Sequence, residues 1–429
     1  MTAAAATAPA LPRSLAARLP FYYGWVVLGC LCCAGFSRQG PAVATLSIFV
    51  EPLTREFGWS RTALSGAVSL GGLLAAITSP WIGPLLDRRG SRLVLCLAVL
   101  ANGGLLLLLS LTPSLLVFYL LFCLARMNWA SPFELGIYGA LNNWFVARRT
   151  AAASVTNLAQ SAGLVAMPLI AQFAILHDGW RAGWLALGAL TLVVGFVPSW
   201  LLLARRPEDL GLAPDLAPAV QLAAGATAPA AEPRYSRRQA VGTAAFWLLM
   251  LYTVLVFPVQ AGVSLHQAPN LIERGLSATI AATVVSFFSL MSAAGTVACG
   301  FLPRRLPIRI PLAVSGLLMA AGSLAMSHIA SPLDGYVAGG VFGFGIGGVL
   351  TLLPVAWADY FGRAHFGAIR GIALSVQVLA QACGPLLSGA LRDLTGTYQL
   401  SLHCFAALSL LSVVAALAAR QPTNRQPGF

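Results

Sequence analysis

Long apolar runs separated by short polar turns repeat along this chain. About twelve of them approach or exceed the roughly 20 residues that a helix needs to cross a bilayer. Because lipid offers no hydrogen bonds to bare backbone, such runs must be helical. The pattern predicts transmembrane helices at about 21–50, 61–84, 92–111, 115–146, 150–176, 181–203, 243–270, 277–301, 310–328, 333–359, 365–390 and 396–418.

The only long polar interruption lies between the sixth and seventh runs. It contains Arg, Glu, Asp and Pro with an Ala-rich stretch, and a linker is expected there. The first apolar run is too long for a cleavable signal peptide. The predicted organisation is an N-terminal tail, a six-helix bundle, a linker, a second six-helix bundle and a C-terminal tail, at 1–20, 21–204, 205–242, 243–419 and 420–429.

An internal repeat supports this division. Residues of one type recur 217 positions apart (300 minus 83): Gly83 with Gly300, Leu85 with Leu302, Arg88 with Arg305, Arg92 with Arg309, Gln160 with Gln377 and Pro168 with Pro385. An even number of helices in each copy makes the copies parallel in the membrane. The predicted fold is therefore an all-α membrane protein with two six-helix bundles related by a pseudo-two-fold axis.

Composition and charge agree with a membrane protein. Only 9% of the residues are charged, against about 25% in soluble domains. The net charge of +13 comes from 26 basic residues, all Arg, most of which, Arg370 included, fall in turns on one predicted side. This asymmetry predicts cytoplasmic N- and C-termini in the cell inner membrane and removes the need for a nucleic-acid partner. Cys30, Cys32 and Cys33 lie within the first apolar run, and the other five Cys are scattered through apolar segments without CxxC pairs, so neither a metal nor another cofactor is expected.

The segment Gly83-Pro-Leu-Leu-Asp-Arg-Arg-Gly-Ser-Arg92 resembles the loop signature of the major facilitator superfamily. The resemblance implies that Asp87, Arg88 and Arg92 contact neighbouring helix ends and hold the cytoplasmic side closed. These residues are named the latch. In the second copy Pro303 and Arg304 replace Leu86 and Asp87, so that copy of the latch is expected to be degraded.

Further motifs resemble the bacterial monocarboxylate transporter and oxalate:formate antiporter branch of that superfamily. They are Tyr22-Tyr23-Gly24-Trp25, Glu56-Phe57-Gly58-Trp59-Ser60-Arg61, Asn143-Trp144-Phe145 and Ala358-Asp359-Tyr360-Phe361-Gly362-Arg363. Asp359 and Arg363 are expected to be gating residues. The branch carries a basic residue in helix 8, which this chain lacks, so the counter-charge of a carboxylate substrate must come from Arg38 or Arg126.

Three ionisable residues are predicted inside the apolar runs: Arg38, Arg126 and Glu134. Charges at this depth are costly and indicate function. A planar guanidinium matches a carboxylate, so Arg38 and Arg126 are candidate substrate ligands, whereas Arg38 could instead pair with Glu134 or reach outward. Arg126 and Glu134 are about 12 Å apart along one helix, too far for a direct pair. Glu134 is a candidate proton carrier, with a structural ion pair as the alternative.

Uncharged polar residues form a second candidate set. Asn157, Gln160, Gln260, Gln377 and Gln381 are predicted to contact substrate, the alternative for each being a hydrogen bond between helices. His266, near the outer end of helix 7, is a second candidate for proton coupling or for an external gate.

The function predicted from the sequence is secondary transport. No phosphate-binding loop ending in Lys-Ser or Lys-Thr is present, which argues against an ATP-driven pump and against an enzyme. A monomer that carries a small organic anion, a monocarboxylate, together with a proton by alternating access fits best. An exporter of hydrophobic compounds or antibiotics, and a membrane sensor without transport, remain alternatives.

Overall fold

The structure, a computed structural model, describes residues 10–215, 233–301 and 306–422. In this part of the chain ten helices are long and apolar enough to cross a membrane. They are Ala63–Arg89, Ser91–Leu109, Leu115–Trp144, Arg149–Leu202, Ala244–Glu273, Thr279–Gly300, Arg309–Met326, Pro332–Phe361, Phe366–Thr395 and Gln399–Ala418.

Two features raise the number of spans to the predicted twelve. The stretch Arg149–Leu202 is two spans, because Asp178 and Gly179 leave the helical conformation and Gly179 has a φ of 80°. A first span is formed by two shorter helices, Gly24–Ser37 and Val43–Phe57. The described residues thus form twelve spans, numbered here 1 to 12 in chain order, and the predicted all-α fold is confirmed.

The starts of the helices follow from local sequence. Ser60, Ser114, Thr243 and Ser277 each place a side-chain oxygen where a backbone N–H of the first turn donates to it. Because these N–H groups have no partner inside the helix, such caps stabilise helix starts by about 1 kcal/mol each.

Three spans of the N-terminal half are irregular. Span 1 is interrupted between Ser37 and Val43, where helix-breaking Gly40 and Pro41 stand. Span 4 is interrupted at Ser131, which has a φ of −123° and a ψ of −77° and precedes Pro132. Span 6 contains a π-helical turn, Thr191–Phe196. Interruptions at membrane depth need protein partners for the freed backbone groups.

The chain forms two compact units. The first is Met1–Glu232 with Arg363–Ser375, and the second is Pro233–Gly362 with Val376–Phe429. Span 11 therefore begins in the first unit and continues in the second. Spans 1, 4 and 6 of the first unit meet in an aromatic core, in which the rings of Phe49 and Trp184 stack with centroids 3.8 Å apart.

The beginning of the predicted linker contacts the first unit. A short 3₁₀ helix, Pro207–Leu210, is followed by Asp215, whose carboxylate accepts hydrogen bonds from the backbone N–H groups of Val146, Ala147 and Arg148. Asp215 thereby binds the turn that leads into span 5. Residues 216–232 of the linker, and Leu302, Pro303, Arg304 and Arg305 of the second latch copy, lie outside the described residues, as do the chain ends 1–9 and 423–429.

Candidate functional site

The two interrupted spans of the first unit bring Arg38 and Glu134 together. Arg38 follows the first helix of span 1, and Glu134 lies in the first turn after the interruption of span 4. Arg38 Nη1 is 2.7 Å from Glu134 Oε2, and the two side chains are 6% and 15% exposed. Of the alternatives that the sequence left open, the structure has the ion pair.

Arg126 is different, because it has no acidic partner among the described residues. Its guanidinium donates one hydrogen bond of 3.3 Å, to the carbonyl of Pro41, and lies 3.9 Å from the centroid of the Trp129 ring. Gly71 makes room for its stem, since a Cβ there would come within 2.6 Å of Arg126 Cβ. A positive charge in a packed interior is costly without a counter-charge, so this guanidinium is suited to bind an anion.

Trp129 links the two arginines. The Arg38 guanidinium lies 4.8 Å from the centroid of its ring, and Trp129 Nε1 donates to Gln39 Oε1 over 3.1 Å. A cation near an aromatic face gains about 1–2 kcal/mol when water is largely excluded. The indole ring therefore offsets part of the repulsion between two neighbouring positive charges.

Asn157 and Gln160 of span 5 join a polar chain beside this pair. The hydroxyl of Tyr138 donates to Asn157 Oδ1 over 2.6 Å, and Gln160 Nε2 donates to the same oxygen over 3.2 Å. Gln160 also packs against Gly35 of span 1, where a Cβ would lie 2.8 Å from its Cγ. The first unit thus gathers all five of its predicted substrate and proton residues on neighbouring spans 1, 4 and 5.

The remaining predicted ligands belong to the second unit. Gln381 donates to Gln260 over 2.9 Å, which joins spans 11 and 7. Gln377 is half-buried one turn before Gln381. His266 lies against Tyr398, with ring centroids 5.2 Å apart.

Asp87 caps the start of span 11. Its carboxylate accepts hydrogen bonds from the backbone N–H groups of Gly367 (2.8 Å) and Ala368 (2.7 Å). Gly83 and Gly367 touch backbone to backbone, because a Cβ on Gly83 would come within 2.0 Å of the Gly367 carbonyl oxygen. These contacts lie within the first unit and suit the positive end of a helix dipole.

The other predicted gate residues have different surroundings. Arg92 donates to the carbonyl of Trp200 over 2.8 Å, and Arg363 donates to the carbonyl of Asn143 over 2.9 Å and pairs with Glu208. The Arg88 side chain is exposed. The backbone carbonyl of Asp359 accepts a hydrogen bond from Gln421 over 2.8 Å.

Two buried arginines were missed by the sequence reasoning, which counted both with the polar turns. Arg370 is 2% exposed one turn into span 11, with Glu134 and Tyr138 as electrostatic neighbours. Arg149 is 1% exposed and donates to the carbonyl of Phe145 over 3.0 Å. Their burial was not predicted, because only charges within apolar runs were expected to be interior. Small residues around Arg370, Gly367 and Gly371 among them, are the signal that a packed neighbour covers this turn.

The described residues contain no group of three or more His, Cys, Asp or Glu side chains that could hold a metal ion. The arrangement in the first unit is one of guanidinium, carboxylate, amide and hydroxyl groups. Such groups bind anions and transfer protons.

The family model of the Major Facilitator Superfamily matches residues 27–353. This chain belongs to the Major Facilitator Superfamily. It is accordingly a multi-pass membrane transporter and not an enzyme, and the family read from the loop motifs is confirmed.

Relatives and solved structures agree with this family. Monocarboxylate transporter 11 of Mus musculus is 28% identical, over 88% of this chain and 83% of the relative. The gallate transporter of Pseudomonas putida is 29% identical, over 85% and 88%. Membrane sensor protein UhpC of Escherichia coli is 28% identical over 67% and 68%. The proton:xylose symporter XylE superposes with a TM-score of 0.71 over 93% of this chain and 96% of XylE, at 15% identity, which shows the fold.

Proposed function

We propose that this transporter moves a small organic anion, a monocarboxylate, across the cell inner membrane by alternating access, in symport with a proton. The observation that carries the proposal is Arg126, a guanidinium inside a membrane span that has no carboxylate partner among the described residues. Since Arg38 already holds Glu134, the anion that Arg126 lacks is supplied by the substrate.

Arg126 offers the substrate a prepared donor. Its one hydrogen bond, to Pro41, is long at 3.3 Å and goes to a neutral carbonyl. A carboxylate accepts from a guanidinium through two parallel, charge-assisted bonds that are about twice as strong as neutral ones. When a substrate carboxylate replaces the Pro41 carbonyl, Arg126 therefore exchanges a weak hydrogen bond for stronger ones.

Glu134 is proposed to couple a proton to this anion. Protonation removes the carboxylate charge and frees Arg38, which then provides a second guanidinium near Arg126 around the Trp129 ring. Binding free energies are reciprocal, so a proton that favours the anion is itself favoured by the anion. His266 is kept as a second proton-coupling candidate.

The amide residues are proposed to complete the substrate contacts. Asn157 and Gln160 already share one hydrogen-bonded chain with Tyr138 in the first unit, and Gln260 and Gln381 share a bond in the second. Gln377 is included with them. Asp87, Arg88, Arg92, Asp359 and Arg363 are proposed as gating residues of a monomer whose termini lie in the cytoplasm.

Two relatives support a carboxylate substrate by their names, the monocarboxylate transporter and the gallate transporter. The similarity to UhpC favours a second candidate, a sensor that binds a ligand without transporting it. Transport itself separates the two, because a sensor binds but does not accumulate its ligand.

The test is uptake into proteoliposomes under an imposed inward proton gradient, with lactate, pyruvate and gallate as labelled probes. We expect Arg126→Gln to lower uptake at least tenfold, because loss of one partner of a buried charge pair costs about 2–5 kcal/mol. Arg392→Gln is the matched control, since Arg392 forms an exposed ion pair with Glu273 and is expected to leave uptake unchanged.

Unchanged uptake in Arg126→Gln contradicts the proposed substrate site. Binding of an acid without accumulation in the unmodified protein favours the sensor. Outward movement of a hydrophobic dye, with none of the acids transported, favours an exporter.

A further inference from the structure

A rare π-helical turn lies against the interruption of span 1. The turn is Thr191–Phe196 in span 6, and π turns of this kind are frequent at functional sites. Thr191 and Ser37 are both fully buried, and Thr191 Oγ1 lies 3.1 Å from the carbonyl oxygen of Ser37. Gly195 allows the close approach, since a Cβ there would come within 2.3 Å of Ser37 Oγ.

Side chains donate hydrogen bonds to three backbone carbonyls at the interruption of span 1. Gln39 O accepts from Thr45 Oγ1 over 2.8 Å, Pro41 O accepts from Arg126, and Ser37 O accepts from Thr191. A carbonyl that loses its helical partner inside a membrane protein needs such a donor. Thr191 thus holds the residue directly before Arg38 and does so from another span.

The Thr191 hydroxyl has two acceptors for one proton. Besides Ser37 O it lies 2.8 Å from Leu187 O, in the preceding turn of its own span. A hydroxyl carries a single donor hydrogen, so it donates fully to only one carbonyl at a time. When Thr191 donates to Leu187, the Ser37 carbonyl loses this side-chain donor, and the hydroxyl itself stays satisfied.

We propose that Thr191 is a positioning residue: its hydrogen bond from the π turn fixes Ser37, and so places Arg38 to meet Glu134. A shift of the backbone at Ser37 moves the neighbouring Arg38 and therefore disturbs its 2.7 Å contact with Glu134. The positioning role follows from the geometry alone, whereas its effect on transport rests on the proposed substrate and proton roles of Arg38 and Glu134.

The first test is amide hydrogen exchange of residues 38–46 in the purified full chain, which needs no substrate. Thr191→Val keeps the shape and removes the hydroxyl, Thr191→Ser keeps the hydroxyl, and Thr253→Val is the matched control. Thr253 is likewise fully buried and donates to Leu249 O over 2.7 Å within its own span.

We expect exchange in residues 38–46 to become about fivefold faster in Thr191→Val, the effect of one hydrogen bond on a local opening. Thr191→Ser and Thr253→Val are expected to match the unmodified protein there. Equal protection in Thr191→Val, with the variant folded, overturns the proposal. So does an equal acceleration in Thr253→Val.

The second test asks whether Thr191 acts through Arg38. In proteoliposomes supplied with labelled lactate, pyruvate or gallate, Thr191→Val is expected to raise the KM of the acid that is taken up about fivefold, with recovery in Thr191→Ser. It is expected to have no further effect in an Arg38→Gln background. A rise in KM of the same size in that background overturns action through Arg38. If Arg38→Gln alone leaves KM unchanged, the proposed substrate role of Arg38 fails, and the exchange experiment still decides the positioning role.

Discussion

At the scale of single residues, the interior of the first unit separates two similar arginines by their partners. Arg38 is neutralised by Glu134 at 2.7 Å, whereas Arg126 has an indole ring and one carbonyl. Two arginines that look equivalent in the sequence therefore have different surroundings in the structure. The arginine without an acid is therefore the proposed anion ligand, and the one with an acid is the proposed partner for proton coupling.

Glu134→Gln tests this division of roles. The amide cannot carry a proton and leaves Arg38 without its counter-charge. We expect uptake driven by a pH gradient to fall at least tenfold, while exchange of labelled for unlabelled acid across the membrane continues, because exchange needs no net proton movement. The measurement is uptake with and without the gradient, alongside exchange at equal pH.

Glu273→Gln is the control for loss of a carboxylate, since Glu273 pairs with Arg392 on an exposed surface. Accumulation in Glu134→Gln that still follows the imposed pH gradient would contradict the assignment of the proton to this residue.

At the scale of helices, the proposed functional residues lie where the spans are irregular. Span 1 breaks at Ser37, span 4 breaks at Ser131 and span 6 carries the π turn, and these three meet around Arg38. Another contact between spans 1 and 6 lies beyond the predicted apolar part of span 1, which ends at about residue 50. There Glu56 accepts a hydrogen bond from Trp180 Nε1 and pairs with Arg181 at 2.8 Å.

This contact predicts a pH-dependent contribution to stability. The hydrogen bond from Trp180, and then that from Arg181, lowers the pKa of Glu56 below its ordinary value. A carboxyl whose pKa is lower in the folded state stabilises the fold above its unfolded pKa, and this stabilisation is lost as the pH falls through the folded pKa. The Tm difference between the unmodified protein and Glu56→Gln is therefore expected to be full near neutral pH, to decrease in acid below about pH 4, and to be lost once the pH is below the lowered pKa of Glu56 in the folded state.

The measurement is thermal unfolding in detergent from neutral to acid pH. Glu51→Gln is the control, because Glu51 pairs with Arg55 on the exposed face of the same helix and such pairs contribute little. A Tm difference for Glu56→Gln that stays constant down to low pH would argue against the Glu56 contact as its source.

At the scale of the whole molecule, span 11 is the element that the two units share. Its first turns belong to the first unit, where Asp87 caps the helix and Gly83 and Gly371 lie in close backbone contacts. Arg370 sits in the same turns beside the charge of Glu134. The Asp87 carboxylate thus caps the start of span 11, and small residues pack closely along its side.

Asp87→Asn tests the importance of that cap for transport. Removal of the charge weakens the interaction with the first N–H groups of span 11 by about 1 kcal/mol. We expect the maximal rate of uptake to fall about fivefold. The KM is expected to change little, because the substitution leaves the proposed substrate-binding residues unchanged. Initial rates over a range of substrate concentrations give both quantities.

Asp334→Asn provides a comparison at another helix start, where Asp334 and Ser331 form a reciprocal cap. It is expected to leave the rate unchanged. An equal change of rate in both variants would mean that the effect reflects helix capping in general and not the start of span 11.

The sequence by itself determined the helices, their number and the family. Helix length is set by the thickness of the bilayer, so long apolar runs and the turn residues between them can be read directly from the order of residues. The same holds for the internal repeat, in which Gly83 and Arg92 recur as Gly300 and Arg309. The sequence also singled out Arg38, Arg126 and Glu134 as interior charges, since a charge within an apolar run is visible without coordinates.

Tertiary structure alone decided which of these charges are neutralised. The partner of Arg38 lies 96 residues away in the chain, and the bend that brings Glu134 to it depends on how spans 1 and 4 break and pack. Arg370 is buried only because other spans cover the first turns of span 11, so counting charges along the chain assigned it to a turn. Pairing and burial depend on contacts distant in sequence, and for that reason no local pattern contains them.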